Sequence, residues 1–341
     1  MSREIRDNNL IFLISQPRAG STLLQRILGS HPDIHTVSEP WLLLPPVYAL
    51  KENGYQAENN AFWAQKALES FLDTIPNGQN EYFCGVQKMF AHLYGKALSC
   101  SGKNFFLDKT PRYYLIIPEI MRIFPEAHFV ILLRNPLAVL CSIINSWSRE
   151  NWFTLNAYKD DLILAPKLLL EGIEQLGNQA IIVHYEQLVK DPETNLQNIC
   201  NRLGIEYRPD IIQYSQANLP HWVFGDQGIV YNNKEPAVNA ATAWTQALRD
   251  PQVWRLAKDY LEALDTKSIA RMGYVSEELE QALEDHQPSL IRRKLTFPLA
   301  WLLLKPVRNR KAWERMVVEF VRKLRVGGIP QRPRITSGSS K

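Results

Sequence analysis

Hydrophobic and polar positions along the chain fall into two alternating textures. Three short apolar runs, Leu10–Ser15, His128–Leu133 and Ala180–His184, have the length and the Ile/Val/Leu/Phe content of strands buried on both faces, and Asn104–Leu107 is a weaker fourth. Helical patterns follow them at Ser21–Leu28, Tyr113–Phe124, Leu137–Trp147 and Pro192–Leu203. Strands alternating with helices predict an α/β fold: three layers, with a central parallel sheet flanked by helices. Ligands of such sheets gather at the carboxyl ends of the strands. Gln16–Thr22, Asp108–Arg112, Arg134–Pro136 and Tyr185–Gln187 all fall at those ends, so one shared site is expected there.

The stretches between these elements set the organisation. Residues 40–100 read as a mostly helical insertion, with Trp41, Tyr48, Tyr55, Trp63 and Tyr94 as pocket walls. His221–Ala243, rich in Gly, Asn and Asp, reads as a long loop of the kind that serves as a lid. After about Glu284 the character changes, dividing the chain into a main domain (1–284) and a basic helical C-terminal extension (285–341). The 341 residues carry a net charge of only +4, but Ser289–Lys341 holds fourteen Lys and Arg against Glu314 and Glu319. That segment therefore carries +12 and leaves −8 on the remainder. Basic residues around Thr296–Leu304 and Ala312–Arg325 suit peripheral membrane contact or an acidic partner; the alternative is a helix pair packed on the body. No nucleic-acid partner is expected, and oligomeric state is not legible.

Four scattered cysteines (Cys84, Cys100, Cys141, Cys200) lack metal-ligand spacing, so a reduced, cytoplasmic protein without a metal centre is expected. No apolar run approaches the ~20 residues that span a bilayer. The charged start Met1–Asn9 leads straight into the first strand and leaves no room for a signal peptide.

The first strand–turn–helix carries the sharpest chemistry. Pro17, Arg18, Ala19, Gly20, Ser21 and Thr22 join an apolar strand to a helix N-terminus, where free backbone amides and the helix dipole favour an anion. Gly20 permits close backbone approach, Ser21 and Thr22 add hydroxyls, and Arg18 adds a permanent charge. A plain Ser/Thr helix cap is the competing explanation. The run lacks the lysine of G-x-x-x-x-G-K-[ST], so the phosphate would belong to another kind of donor than a nucleoside triphosphate. Further on, Arg134 ends a strand and Ser142 lies eight residues later, two turns into the next helix. Together they can grip a second, terminal phosphate; alternatively Arg134 forms a surface ion pair and Ser142 is an ordinary helix residue.

Four motifs together resemble the sulfotransferases that use 3′-phosphoadenosine 5′-phosphosulfate (PAPS), a family of P-loop-like fold. Gln16-Pro-Arg-Ala-Gly-Ser-Thr is similar to their 5′-phosphosulfate loop, and Leu133-Arg-Asn-Pro through Ser142 to their 3′-phosphate segment. Asp108-Lys-Thr-Pro-Arg-Tyr and Val183-His-Tyr-Glu-Gln-Leu complete the set. The likeness is greatest to the protein-tyrosine sulfotransferase branch and its bacterial relatives, and covers about residues 8–275.

This resemblance implies transfer of a sulfuryl group from PAPS to an acceptor hydroxyl. Lys109 would reach the oxygen between phosphate and sulfate, where charge develops, unless it merely pairs with Asp108. Glu39, in Thr36-Val-Ser-Glu-Pro-Trp, would act as general base. His31, His35 and His92 are the alternative bases, and an ion pair with Arg18 or Arg112 is the structural alternative for Glu39. Tyr185 would line the PAPS pocket, or serve as a core tyrosine. Lys234 would cover the 3′-phosphate, although Glu235 adds a residue to that pattern. An ATP-dependent phosphotransferase of related fold and a non-catalytic nucleotide-binding interaction protein are the competing functions.

Overall fold

The computed structural model describes residues 6–37, 39–40, 42–48, 50, 61–148, 155, 157–215, 236 and 238–288. Its centre is β1 (Leu10–Ser15), every residue of which is buried. The strand alternates between two cores. Leu10, Phe12 and Ile14 enter one, and Ile11 and Leu13 enter the other. Four further strands, β2 (Ile34–Thr36), β3 (Phe105–Lys109), β4 (His128–Leu133) and β5 (Ala180–His184), complete a wholly parallel sheet in the order β2-β3-β1-β4-β5.

The connections decide which helix covers which face. From β1 the chain crosses to β2 through α1 (Ser21–Gly29), whose apolar side joins Ile11 and Leu13. The return from β2 to β3 runs through α2 (Leu44–Tyr48), α3 (Ala61–Leu72) and α4 (Gly78–Ser101), over the Phe12 face. The crossovers to β4, through α5 (Ile117–Ile123), and to β5, through α6 (Pro136–Ile143) and α7 (Ala165–Leu176), run in that same direction; α5 and α7 pack on the Phe12 face. The one crossover of opposite direction thus uses the opposite face, as a single handedness requires. After β5, α8 (Tyr185–Lys190) and α9 (Pro192–Leu203) cover the Ile11 face. β1 and β4 send their chains in opposite directions, so the crevice between their carboxyl ends is the topological switch point of the sheet.

A third core lies beside the sheet. There α6 packs against the helices Pro251–Leu264, Thr266–Arg271 and Ser276–Asp285, with Tyr260 donating its hydroxyl to the Leu162 carbonyl at 3.0 Å. Among the described residues no helix is long and apolar enough to cross a membrane. The basic segment from Ser289 lies outside the described residues.

The structure departs from the sequence pattern in instructive places. β2 carries only three residues, too few for a periodicity, and exists because it pairs with β3. Its Thr36 hydroxyl also donates to the Leu107 carbonyl at 2.9 Å. β3 starts one residue later than expected and extends through Asp108 and Lys109, which are fully buried despite their charge. The helix expected from Tyr113 to Phe124 is instead a 3₁₀ turn (Pro111–Leu115) followed by α5. α6 ends at Ile143 in a π-type turn rather than continuing as a regular helix to Trp147. Within the insertion expected at residues 40–100, the described residues are mostly helical, and α2, α3 and α4 belong to the β2–β3 crossover itself; Trp41 and Tyr55 lie outside the described residues. Tyr94 is a core residue at 1% exposure rather than a pocket wall.

Phe12 is wholly buried, with its ring 5.8 Å from those of Phe124 and Phe129 and 6.1 Å from that of Tyr113. Phe12→Ala is expected to cost roughly 3–5 kcal/mol of stability. Met89→Ala, on the exposed side of α4, should stay within about 0.5 kcal/mol. Urea unfolding of both variants checks this.

Candidate active site

The turn after β1 is shaped by backbone conformation before any side chain acts. Arg18 (φ +69°) and Gly20 (φ +101°) both adopt the left-handed region, which directs the chain sharply into α1. Gly20 is required for a second reason: a Cβ there would lie 2.3 Å from the Tyr185 ring. The first bond into α1 runs from the Leu24 amide to the Gly20 carbonyl at 3.2 Å, so the amides of Ser21, Thr22 and Leu23 precede it at the open helix start. Pro17, Ala19, Ser21 and Thr22 thus lie on one tight turn with Arg18 and Gly20.

The second loop meets the first at the switch point. Arg134, directly after β4, donates to the Arg18 carbonyl at 3.0 Å and to the Ala240 carbonyl at 3.2 Å. Its guanidinium stacks on the Tyr185 ring at 4.1 Å, and its Nε is buried with no hydrogen-bond partner. Arg18 Nε donates to Ser142 Oγ at 3.1 Å. Asn135 caps α6 by accepting from the Leu137 and Ala138 amides at 2.9 and 3.3 Å. The two loops read separately in the sequence therefore form one continuous cationic cradle. Tyr185 is wedged between Gly20 and Arg134.

At the neighbouring strand end, Lys109 is 0% exposed and forms an ion pair with Glu39, itself only 13% exposed. The carboxylate reaches Lys109 because its segment is pinned on either side. Gln25 of α1 donates to Thr36 Oγ1 at 2.8 Å and to the Val37 carbonyl at 2.6 Å, and the Tyr113 hydroxyl accepts from the Leu43 amide at 3.0 Å. Lys109 does not pair with Asp108, whose side chain takes hydroxyl donors instead: Tyr94 (2.7 Å), Thr110 (2.9 Å) and Tyr113 (3.1 Å). Burial pushes the Asp108 carboxyl up to about 6, against the opposing pull of those bonds.

Asp161 is a participant that sequence reasoning missed. It is 3% exposed, takes a two-pronged bond from Arg112 at 3.0 and 2.6 Å, and accepts from the Tyr114 hydroxyl at 2.8 Å. Its carbonyl also accepts from Gln16 at 2.9 Å, tying the first loop to Arg112. Its turn carried no apolar period or motif to mark it. The histidines take other roles. His31 is buried between the Glu206 carbonyl and the Asp33 amide. His35 packs edge-on to Phe106, with its pKa lowered by burial, and His92 is exposed on α4. Lys234 lies outside the described residues.

Fixed cations and amides at the switch point can hold two anionic groups, and the Glu39–Lys109 pair beside them offers a proton acceptor next to a buried positive charge. A model of the sulfotransferase family matches residues 10–209, which contain this whole constellation. The nodulation protein NoeE of Sinorhizobium fredii is 31% identical over 67% of this chain; the aligned region spans 59% of that protein's length. A putative protein-tyrosine sulfotransferase of Caenorhabditis briggsae is 24% identical over 72% of this chain and 84% of its own. Among solved structures, the sulfotransferase domain of the Synechococcus PCC 7002 olefin synthase covers 72% of this chain and 90% of its own at 21% identity, with a TM-score of 0.45.

The raised Asp108 pKa has a consequence for stability. A carboxyl whose folded pKa lies above its unfolded 3.8 binds its proton more tightly when folded, so its share of stability falls as pH rises from about 4 to about 6. Asp108→Asn cannot ionise. Relative to the parent it should gain on the order of 3 kcal/mol between pH 4 and pH 7. Urea unfolding across that range tests it.

Proposed function

This chain belongs to the sulfotransferase family, and we propose that it transfers a sulfuryl group from PAPS to an acceptor hydroxyl. The observation that carries the reading is the contact chain Arg134–Arg18–Ser142, which joins two cation-bearing loops at one switch point beside the Glu39–Lys109 pair. A donor with separate 3′- and 5′-phosphates matches two adjacent anion sites.

The residues present fit such a donor. The buried, unpartnered Nε of Arg134 needs an acceptor, and the absence of a side chain at Gly20 keeps the loop close to Tyr185. In this reading Pro17 to Thr22 hold the 5′-phosphosulfate, with Arg18 and the amides of the α1 start as donors. Arg134 and Ser142 hold the 3′-phosphate, Tyr185 supports Arg134 from below, and Lys234 covers the same phosphate. The donor supplies an activated sulfuryl group. Glu39 takes the proton of the acceptor hydroxyl as its oxygen bonds to sulfur, and the sulfur–oxygen bond to phosphate breaks. Lys109 and Arg18 face the charge that passes to the departing phosphate. Because Lys109 is already desolvated, its charge is presented without reorganisation. The basic segment 289–341 serves peripheral contact with a membrane surface in this proposal, and the catalytic unit is residues 1–284.

Calorimetric titration with adenosine 3′,5′-bisphosphate, and with ATP plus magnesium, tests the donor. The bisphosphate is expected to bind in preference, and Arg134→Ala to weaken it by at least about tenfold. Preference for ATP–magnesium would move the protein to the phosphotransferases. In transfer of labelled sulfate, Glu39→Gln is expected to lower turnover by about a hundredfold or more while leaving bisphosphate affinity in place. Lys109→Met should lower it comparably. Wild-type turnover in either variant overturns the assigned roles.

A further inference from the structure

A carboxylate sits where an anion site should least tolerate one. Glu186 lies in the first turn of α8, next to Tyr185, on whose ring the Arg134 guanidinium lies. An ion pair between Glu186 and Arg134 would cancel the cation that the second loop presents, and among the described residues no such pair forms. Both oxygens of Glu186 are instead taken elsewhere. Oε1 accepts from the Asn135 amide at 3.0 Å, and Oε2 accepts from the Tyr274 hydroxyl at 2.7 Å.

Tyr274 comes from a distant part of the chain, on the turn that follows Thr266–Arg271. That turn is built to reach the end of β5. Gly273 has φ +86°, and a Cβ there would lie 2.6 Å from His184 Nε2. The His184 ring bonds the Met272 carbonyl at 3.0 Å and meets the Tyr274 ring edge-on. Burial first, and the Glu186 carboxylate second, raise the Tyr274 phenol well above its usual range, so it remains a hydrogen-bond donor at physiological pH. The turn lies beyond residues 10–209, so the family match does not supply this contact.

We propose that Glu186 and Tyr274 are positioning residues for the second anion site: the Tyr274 hydroxyl holds the Glu186 carboxylate away from Arg134 and keeps that guanidinium available to a 3′-phosphate. The inference rests on the donor reading above, in which Arg134 meets the 3′-phosphate. It gives the C-terminal helices a role in donor recognition that their position outside the sheet does not announce.

Affinity for two probes, adenosine 3′,5′-bisphosphate and adenosine 5′-monophosphate, separates positioning from general stability, because only the first carries a 3′-phosphate. In Tyr274→Phe the freed carboxylate oxygen turns to Arg134. Bisphosphate affinity should fall by about tenfold with 5′-monophosphate affinity unchanged. Adding Glu186→Gln removes the charge that captures Arg134, so the double variant should recover bisphosphate affinity. A loosened structure would do the opposite and worsen with each substitution. Equal losses for both probes, no loss for either, or a double variant weaker than Tyr274→Phe would each overturn the proposal. Arg134→Ala is the control for the underlying reading. If it leaves the preference for bisphosphate over monophosphate intact, the donor reading fails. If it abolishes that preference while Tyr274→Phe changes nothing, only the positioning role fails.

Discussion

Cations gathered at adjacent strand ends repel one another, and the way each is held sets the shape of the whole site. Arg18, Lys109 and Arg134 follow or end β1, β3 and β4, the three central strands of the sheet. Each is neutralised or screened differently. Lys109 is buried against Glu39, a pair that would be costly to split because either partner left alone would be a desolvated charge. Arg134 is spread over two carbonyls and the face of Tyr185. Arg112, close behind them, is held in a planar, two-pronged bond by Asp161. The groups that hold Arg134 are neutral, so its positive charge is not cancelled at the crevice between β1 and β4.

Three acids, Asp108 and Asp161 buried and Glu186 half-buried, then do the long-range tying. Asp108 gathers hydroxyls from α4 and the Pro111–Leu115 turn, and through Tyr113 it reaches the segment that carries Glu39. Asp161 links Arg112 to the first loop through the Gln16 amide. Glu186 links the Arg134 loop to the last helices. Carboxylates so placed are expensive to bury, and each is matched by two or three donors from elements far apart in the chain. The same bonds that satisfy them fix the spacing of the loops, so preorganisation of the site and stability of the fold rest on shared contacts.

Much of this architecture was legible in the amino-acid sequence, and the reasons are local. β1, β4 and β5 are apolar runs of five or six residues bounded by polar turns, and they could be read to the residue. α9 could be read the same way because Asp191, Pro192 and Gly204 mark its ends: Asp191 caps the Thr194 amide and Gly204 stops the helix at φ +70°. The convergence of Arg18, Gly20 and Arg134 was legible because strand-end position and side-chain chemistry coincide there, and Ser142 followed from its place two turns into α6. β2 was not, because three residues carry no period. The last two residues of β3 were not, because buried Asp and Lys violate the apolar pattern by which strands are recognised.

What the sequence by itself determined is where β1, β4, β5 and helices such as α9 lie, and hence that these loops gather at one edge of a parallel sheet. Only the tertiary structure decided the pairings: Glu39 with Lys109 rather than Arg18 or Arg112, Asp108 with three hydroxyls rather than its neighbour Lys109, and Glu186 with Tyr274. Helix and strand patterns arise from steric and solvation preferences repeated every two or 3.6 residues, which a linear sequence displays. A buried ion pair depends on the register of strands and the approach of segments many tens of residues apart. Its energy is decided by local desolvation and by the competing partners that the completed fold brings within reach.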